Sequence, residues 1–154
     1  MDEEISRAER SGTALSCLLV AIGNAEELSY AHGEEFVGEA LAFIAGVLAA
    51  ELRPFDRIGQ ASAEELLLLL PGADGPRGEI VARRMLRRLR SVKVEADGAR
   101  RALHILIGLA TWTREESATD LLGQARAAVR REHLARSATG PAGPPPPVGR
   151  DGPS

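Results

Sequence analysis

The chain has 154 residues, 44% of them hydrophobic, with a formal charge of −3. That is enough for one domain with a real core and too little for two of ordinary size. A near-neutral balance excludes an overall basic field for nucleic acid, and a lone cysteine, Cys17, excludes a disulfide framework and a cysteine metal cluster. Cys17 lies in an apolar run, so a packed, reduced thiol and a cytoplasmic setting are expected. The apolar runs are strand-length, and residues 1–12 do not resemble a signal peptide, so neither a membrane span nor a leader is expected.

In chain order, residues 1–11 predict a short charged helix stopped by Gly12. Ala14 to Ile22 reads as a strand. From Gly33 to Leu52, Val37, Leu41, Ile44, Leu48 and Leu52 recur at three and four residues, the spacing of one helix face. Pro54 disfavours helical geometry at Arg53 and should end that helix. Arg57 to Ala61 and Glu65 to Leu70 predict two strands joined by a tight turn through Ser62, Ala63 and Glu64. Leu66 to Leu70 lacks polar alternation, which fits a central strand covered on both faces.

Turn chemistry at Pro71 to Gly75 precedes a second helix from Arg77 to Leu89, with Ile80, Val81, Met85, Leu86 and Leu89 read as inward and Arg83, Arg84, Arg87 and Arg88 on the other face. Val92 to Glu95 and Arg101 to Thr111 predict strands around a turn at Asp97 and Gly98. A last helix is expected from Ser117 to Leu134. Past Ser137 the residues are proline, glycine and polar, the composition of an extended, disordered tail. The expected division is a lead-in helix over 1–12, one domain over 13–136 and a tail over 137–154. The fold class expected is α+β, a ferredoxin-like βαββαβ sheet, antiparallel or mixed, with helices against one face and an extra hairpin.

Over about residues 5 to 136 the sequence resembles the GGDEF family of diguanylate cyclases. The resemblance rests on the apolar strand from Leu15, Gly33 opening the long helix, Leu52 to Asp56 at its end, Leu67 to Asp74 after the signature, Ile107 to Ala110, and Asp120 to Val129 in the last helix. It implies the nucleotidyl-cyclase type of fold. Family cyclases join two GTP molecules with Mg²⁺ held by carboxylates, so the matching positions matter. Ala21 stands where the family has a metal-binding Asp, Ser62 and Ala63 replace the two signature glycines, and Glu64, Glu65 and Leu66 complete the altered signature. Ser29 and Gly38 replace the guanine readers, and His133 falls where a basic residue would hold phosphate. These departures imply that the chain is not an enzyme, and no metal or other cofactor is expected.

Arg53, Pro54, Phe55 and Asp56 look like the family's RxxD inhibitory site for cyclic di-GMP, with the family's five residues before the signature, and Arg84 matches the position of a second arginine for the same ligand. An arginine fork fits a guanine edge or a phosphate, and a carboxylate accepts from guanine N–H groups. The blander reading makes Arg53 compensate a helix C-terminus and Asp56 cap a turn. Three functions compete: a non-catalytic cyclic di-GMP receptor relaying occupancy to a protein partner, a nucleotide-independent interaction or dimerisation scaffold, and, against the expectation, a living cyclase with an unusual site. Neither nucleic acid nor a membrane is an expected partner; a homodimer is compatible with the first two functions. His32, His104 and His133 lack ligand spacing, and Trp112 and Tyr30 are lone aromatics.

Overall fold

The computed structural model describes residues 1–96 and 99–139. Helix α1 (Asp2–Ser11) ends at Gly12, whose φ of 66° is the left-handed stop expected there. Strand β1 (Leu15–Ile22) is followed by α2 (Ala25–His32) and α3 (Glu34–Ala49), then by β2 (Arg57–Ser62) and β3 (Glu65–Pro71). Helix α4 (Gly75–Leu89) leads to a small hairpin of β4 (Lys93–Ala96) and β5 (Ala99–Ala102), then β6 (Ile105–Thr111) and α5 (Ala118–Thr139). The four-stranded sheet has the order β2-β3-β1-β6 with every neighbour antiparallel, while β4 and β5 pair separately. This is the α+β, ferredoxin-like order with an extra hairpin.

Helices cover both faces of the sheet, which corrects the expectation of a single covered face. Alternate residues of β1 divide between two cores because successive strand side chains point to opposite sides. Leu18, Val20 and Ile22 join Leu41, Ile44 and Leu48 of α3 and Met85 and Leu89 of α4. Cys17, Leu19 and Ala21 meet Ala8 of α1 and Leu121, Ala125 and Val129 of α5. Each fully buried leucine contributes about 1.5–3 kcal/mol relative to exposure, so two faces yield a core a single-faced sheet of this length lacks. Strand β3 lies between β2 and β1, with Leu66, Leu68, Leu69 and Leu70 all buried, as its unbroken leucines predict.

The differences from expectation have local causes. Helix α2 is short and polar, with only Ala25 and Leu28 buried, too few apolar positions for a period to show. The expected strand from Arg101 to Thr111 divides at Leu103 and His104. There the His104 backbone accepts from Gly23 N at 2.6 Å and donates to Asn24 Oδ1 at 3.0 Å, contacts from a part of the chain about 80 residues earlier. Helix α4 starts at Gly75, two residues before the expected start, because the Asp74 side chain caps it by accepting from Arg77 N and Pro76 sits in its first turn. Ile80, read as inward, is 60% exposed. Helix α5 continues to Thr139, through residues 137–139 assigned to the tail. The Asp97–Gly98 turn and the rest of the tail lie outside the described residues. Among the described residues, no helix is long and apolar enough to cross a membrane.

Candidate functional site

Two separate places carry the residues singled out by sequence. The first is the altered signature, in the β2–β3 hairpin. Ser62 pairs with Glu65 across a register shift after Gln60, Ser62 Oγ accepts from Glu64 N at 3.3 Å, and the Glu64 carbonyl accepts from Ile22 N at 3.2 Å. These bonds hold the turn beside the end of β1, where Ala21 lies opposite Glu65. Leu66 is buried in the core and has a packing role.

Beside this turn opens a cleft of about 490 Å³, lined by Ile22, Ala25, Ser29 and Val37 together with Ala63, Glu26, Glu34 and Glu64. Among the described residues, three carboxylates and no basic side chain line it. Unscreened carboxylates at the mouth of a cleft repel a triphosphate unless a cation intervenes. The donors for such a cation do not fit. Ala21 offers no carboxylate, the Glu65 carboxylate accepts from Arg126 Nη2 of α5 at 3.0 Å, and no group of three acidic, histidine or cysteine side chains among the described residues is placed to hold a metal ion. Arg126 was not legible as a site residue, since nothing in its local sequence couples it to a turn 61 positions earlier. Ser29 does line the cleft; Gly38 does not, and lies instead in a groove of about 220 Å³ between α3 and β2. His133 is exposed on α5, and His32 stacks obliquely on Phe36 with ring centres 5.1 Å apart.

The second place is the C-terminal end of α3. Arg53 N donates to Asp56 Oδ2 at 2.9 Å, its side chain reaches the same carboxylate through Nε at 3.4 Å and Nη2 at 3.3 Å, and Nη2 also donates to the Pro71 carbonyl at 3.2 Å. The Asp56 side chain is 4% exposed and that of Arg53 47%. The Arg53 guanidinium also lies 5.2 Å from the centre of the exposed Phe55 ring. Arg84 comes to the same helix end from α4, donating to the Glu51 carbonyl at 3.3 Å, while Arg84 and Arg88 approach the Glu51 carboxylate at 3.8 and 3.5 Å. Arg84, Arg87, Arg88, Glu51 and Ser91 line a shallow cleft of about 330 Å³. Glu51 therefore organises the arginines, a role its position inside an apolar helix pattern gave no reason to assign. Arg53 and Asp56 are thus paired with each other, and Arg84 approaches the same helix end through Glu51, two residues before Arg53.

Among solved structures, the diguanylate cyclase SiaD from Pseudomonas aeruginosa, in complex with its activator SiaC, superposes with a TM-score of 0.80 at 22% identity, over 86% of this chain and 51% of that one. This chain spans about half the SiaD chain. The GGDEF domain of DgcB from Caulobacter crescentus, in complex with c-di-GMP, gives 0.77 at 16% identity, over 87% of this chain and 78% of that one. The active GGEEF domain of a diguanylate cyclase from Vibrio cholerae gives 0.76 at 16% identity, over 87% and 85%. No curated protein sequence matches the chain. The family model described as diguanylate cyclase, GGDEF domain, matches residues 1–138, and the chain belongs to the GGDEF family.

Proposed function

We propose that this chain is a non-catalytic GGDEF domain that binds cyclic di-GMP through Arg53, Asp56 and Arg84 and passes its occupancy to a protein partner in the cytoplasm. The observation that carries the reading is the division of labour between the two places. The cleft beside the signature is acidic, and Glu65 of the neighbouring strand is already paired with Arg126. The end of α3 instead gathers three arginines on two carboxylates, Arg53 on Asp56 and Arg84 with Arg88 on Glu51. A cyclic dinucleotide carries two phosphates and two guanine edges, which arginine forks bind in a bidentate way. Two proteins of the same fold, one complexed with c-di-GMP and one with an activator protein, are in keeping with a ligand and a partner for this chain.

The nucleotide-independent scaffold remains the second reading, and a specific observation favours it: the Asp56 carboxylate is 4% exposed and its hydrogen bonds come from Arg53. For the receptor, Arg53 must exchange Asp56 for the ligand, so binding costs the pair it replaces.

Calorimetric titration with cyclic di-GMP, and with GTP plus Mg²⁺, decides between them. The receptor predicts saturable binding of cyclic di-GMP, loss of that binding in Arg53→Ala, and no conversion of GTP. At a hundredfold excess over the dissociation constant the ligand adds about 2.7 kcal/mol to the stability of the fold, a readily measured thermal shift. Absence of heat and of any shift with cyclic di-GMP sinks the receptor and leaves the scaffold; cyclic di-GMP formed from GTP sinks both.

A further inference from the structure

Among the described residues, the outer face of α3 is open, flanked at Phe43 and Glu39 by Lys93, Val94 and Glu95, with which they line a cleft of about 220 Å³. Between Ala40 and Ala50 there is no charged residue, and Ala42, Phe43, Gly46, Ala49 and Ala50 are exposed, Phe43 by 53%. A Cβ added at Gly38 or Gly46 would meet nothing within 4 Å. A smooth alanine and glycine surface with one protruding aromatic ring is costly to leave in water and suited to close helix approach.

The two ends of this face carry opposite charge. Glu34, Glu35 and Glu39 are exposed at the N-terminal end. At the other end, Arg84 and Arg88 are anchored on Glu51, with Arg87 lining the same cleft. The sequence has the same polarity on a larger scale: residues 11–52 contain no lysine or arginine, whereas α4 alone holds five arginines.

A face that is acidic at one end, apolar in the middle and basic at the other complements itself when a second copy lies antiparallel on it. We propose that the exposed face of α3 is a two-fold interface between copies of this chain. With the axis near Ala42 and Phe43, Glu35 of one copy falls opposite Ala50 of the other, within reach of the arginines grouped at Glu51. A two-fold axis repeats the charge match on both sides, the defining property of an isologous contact. The small residues let the helix axes approach, and each Phe43 ring packs over the other copy's Ala42 and Gly46. The contact needs no nucleotide, but it uses Arg84, also a residue of the proposed ligand site, so the two readings share that arginine and are separated by testing the chain without ligand.

Sedimentation of the ligand-free full chain tests it, across micromolar concentrations, at about 50 mM and about 500 mM salt, where screening lengths differ roughly threefold. The expected result is a dimer that weakens with salt. Phe43→Asp should raise its dissociation constant about thirtyfold or more, as loss of a central aromatic anchor does. Ala42→Glu should dissociate it too. Reversing the acidic end (Glu35→Arg with Glu39→Arg) or the basic end (Arg87→Glu with Arg88→Glu) should each weaken it, and all four changes in one chain should restore it. Thermal melts confirm that these exposed-site variants fold. A monomer under all conditions overturns the proposal. So does a dimer indifferent to Phe43→Asp and Ala42→Glu, or one that the combined reversal does not restore.

Discussion

The Glu65 carboxylate is 18% exposed and accepts a 3.0 Å hydrogen bond from Arg126, itself 39% exposed. A partly buried carboxylate needs a cation or several donors to offset its lost hydration, and here a guanidinium from α5 supplies the charge. The pair joins the signature hairpin to the helix on the opposite side of β1 from α3. Because both groups retain some solvent, the attraction is modest, and a double-mutant cycle of Glu65→Gln and Arg126→Gln should give a coupling of about 1 kcal/mol. Denaturant midpoints measured for the four proteins at low salt check this. A coupling indistinguishable from zero would mean the hairpin is held by Leu66 and its backbone bonds alone. The residue scale is also where sequence was least informative: Arg126 and Glu51 act on targets 61 and 33 positions away, and a one-dimensional pattern carries no sign of such pairs.

At the scale of elements, α5 packs so closely on β6 that the strand needs a residue without a side chain. A Cβ at Gly108 would lie 2.4 Å from the Ala125 carbonyl and 2.8 Å from Val129 N, both backbone atoms of the helix. Side-chain repacking cannot relieve that clash, so Gly108→Ala should push α5 off the sheet and destabilise the fold by about 2–3 kcal/mol, at the upper end of ordinary overpacking. A fall in the denaturation midpoint that Gly123→Ala does not share identifies the cause, since a Cβ at Gly123 meets nothing within 4 Å. A Gly108→Ala protein as stable as the parent would show that the helix shifts without cost. The elements with a long apolar period were legible: α3 from Val37 to Leu48, and β3 as a central strand from its unbroken leucines. Layering was legible by the same signal, since unbroken apolar runs in β3 and in β1, all eight of whose residues are buried, mark strands covered on both faces; the expectation of helices against a single face disregards it. At the site, legibility divides between local turn chemistry and packing. The hairpin holding Ser62 to Leu66 and the helix end holding Arg53 fall where local turn chemistry places them, but the bonds that occupy Arg84 and Glu65 arise only from packing.

For the molecule as a whole, the two cores share β1, and Cys17 on that strand, packed in the core under α1 and α5, reports on its opening. Cys17 is fully buried, and its thiol is pushed up from 9.0 to about 12 by desolvation, opposed by a backbone hydrogen bond involving Ala110. The folded state therefore holds the thiol proton more tightly than the unfolded chain does. The resulting stability is complete below pH 9 and is lost as pH rises towards 12, because only the unfolded chain releases the proton in that window. By pH 11 the loss should be on the order of 3 kcal/mol, two units of linkage at 1.36 kcal/mol each. Other groups titrate in the same range, so the decisive quantity is the difference in slope between the parent and Cys17→Ala. The variant starts less stable, having lost a packed sulfur, and should decline less steeply between pH 9 and 11. Alkylation gives an independent reading of the same physics. At pH 8 the Cys17 thiol should react with iodoacetamide only through opening of the sheet, at a rate that tracks global stability across the Gly108→Ala and Arg126→Gln proteins. Rapid labelling of the stable parent, or slopes identical in the two proteins, would mean that β1 opens locally and that the two cores are not one cooperative unit.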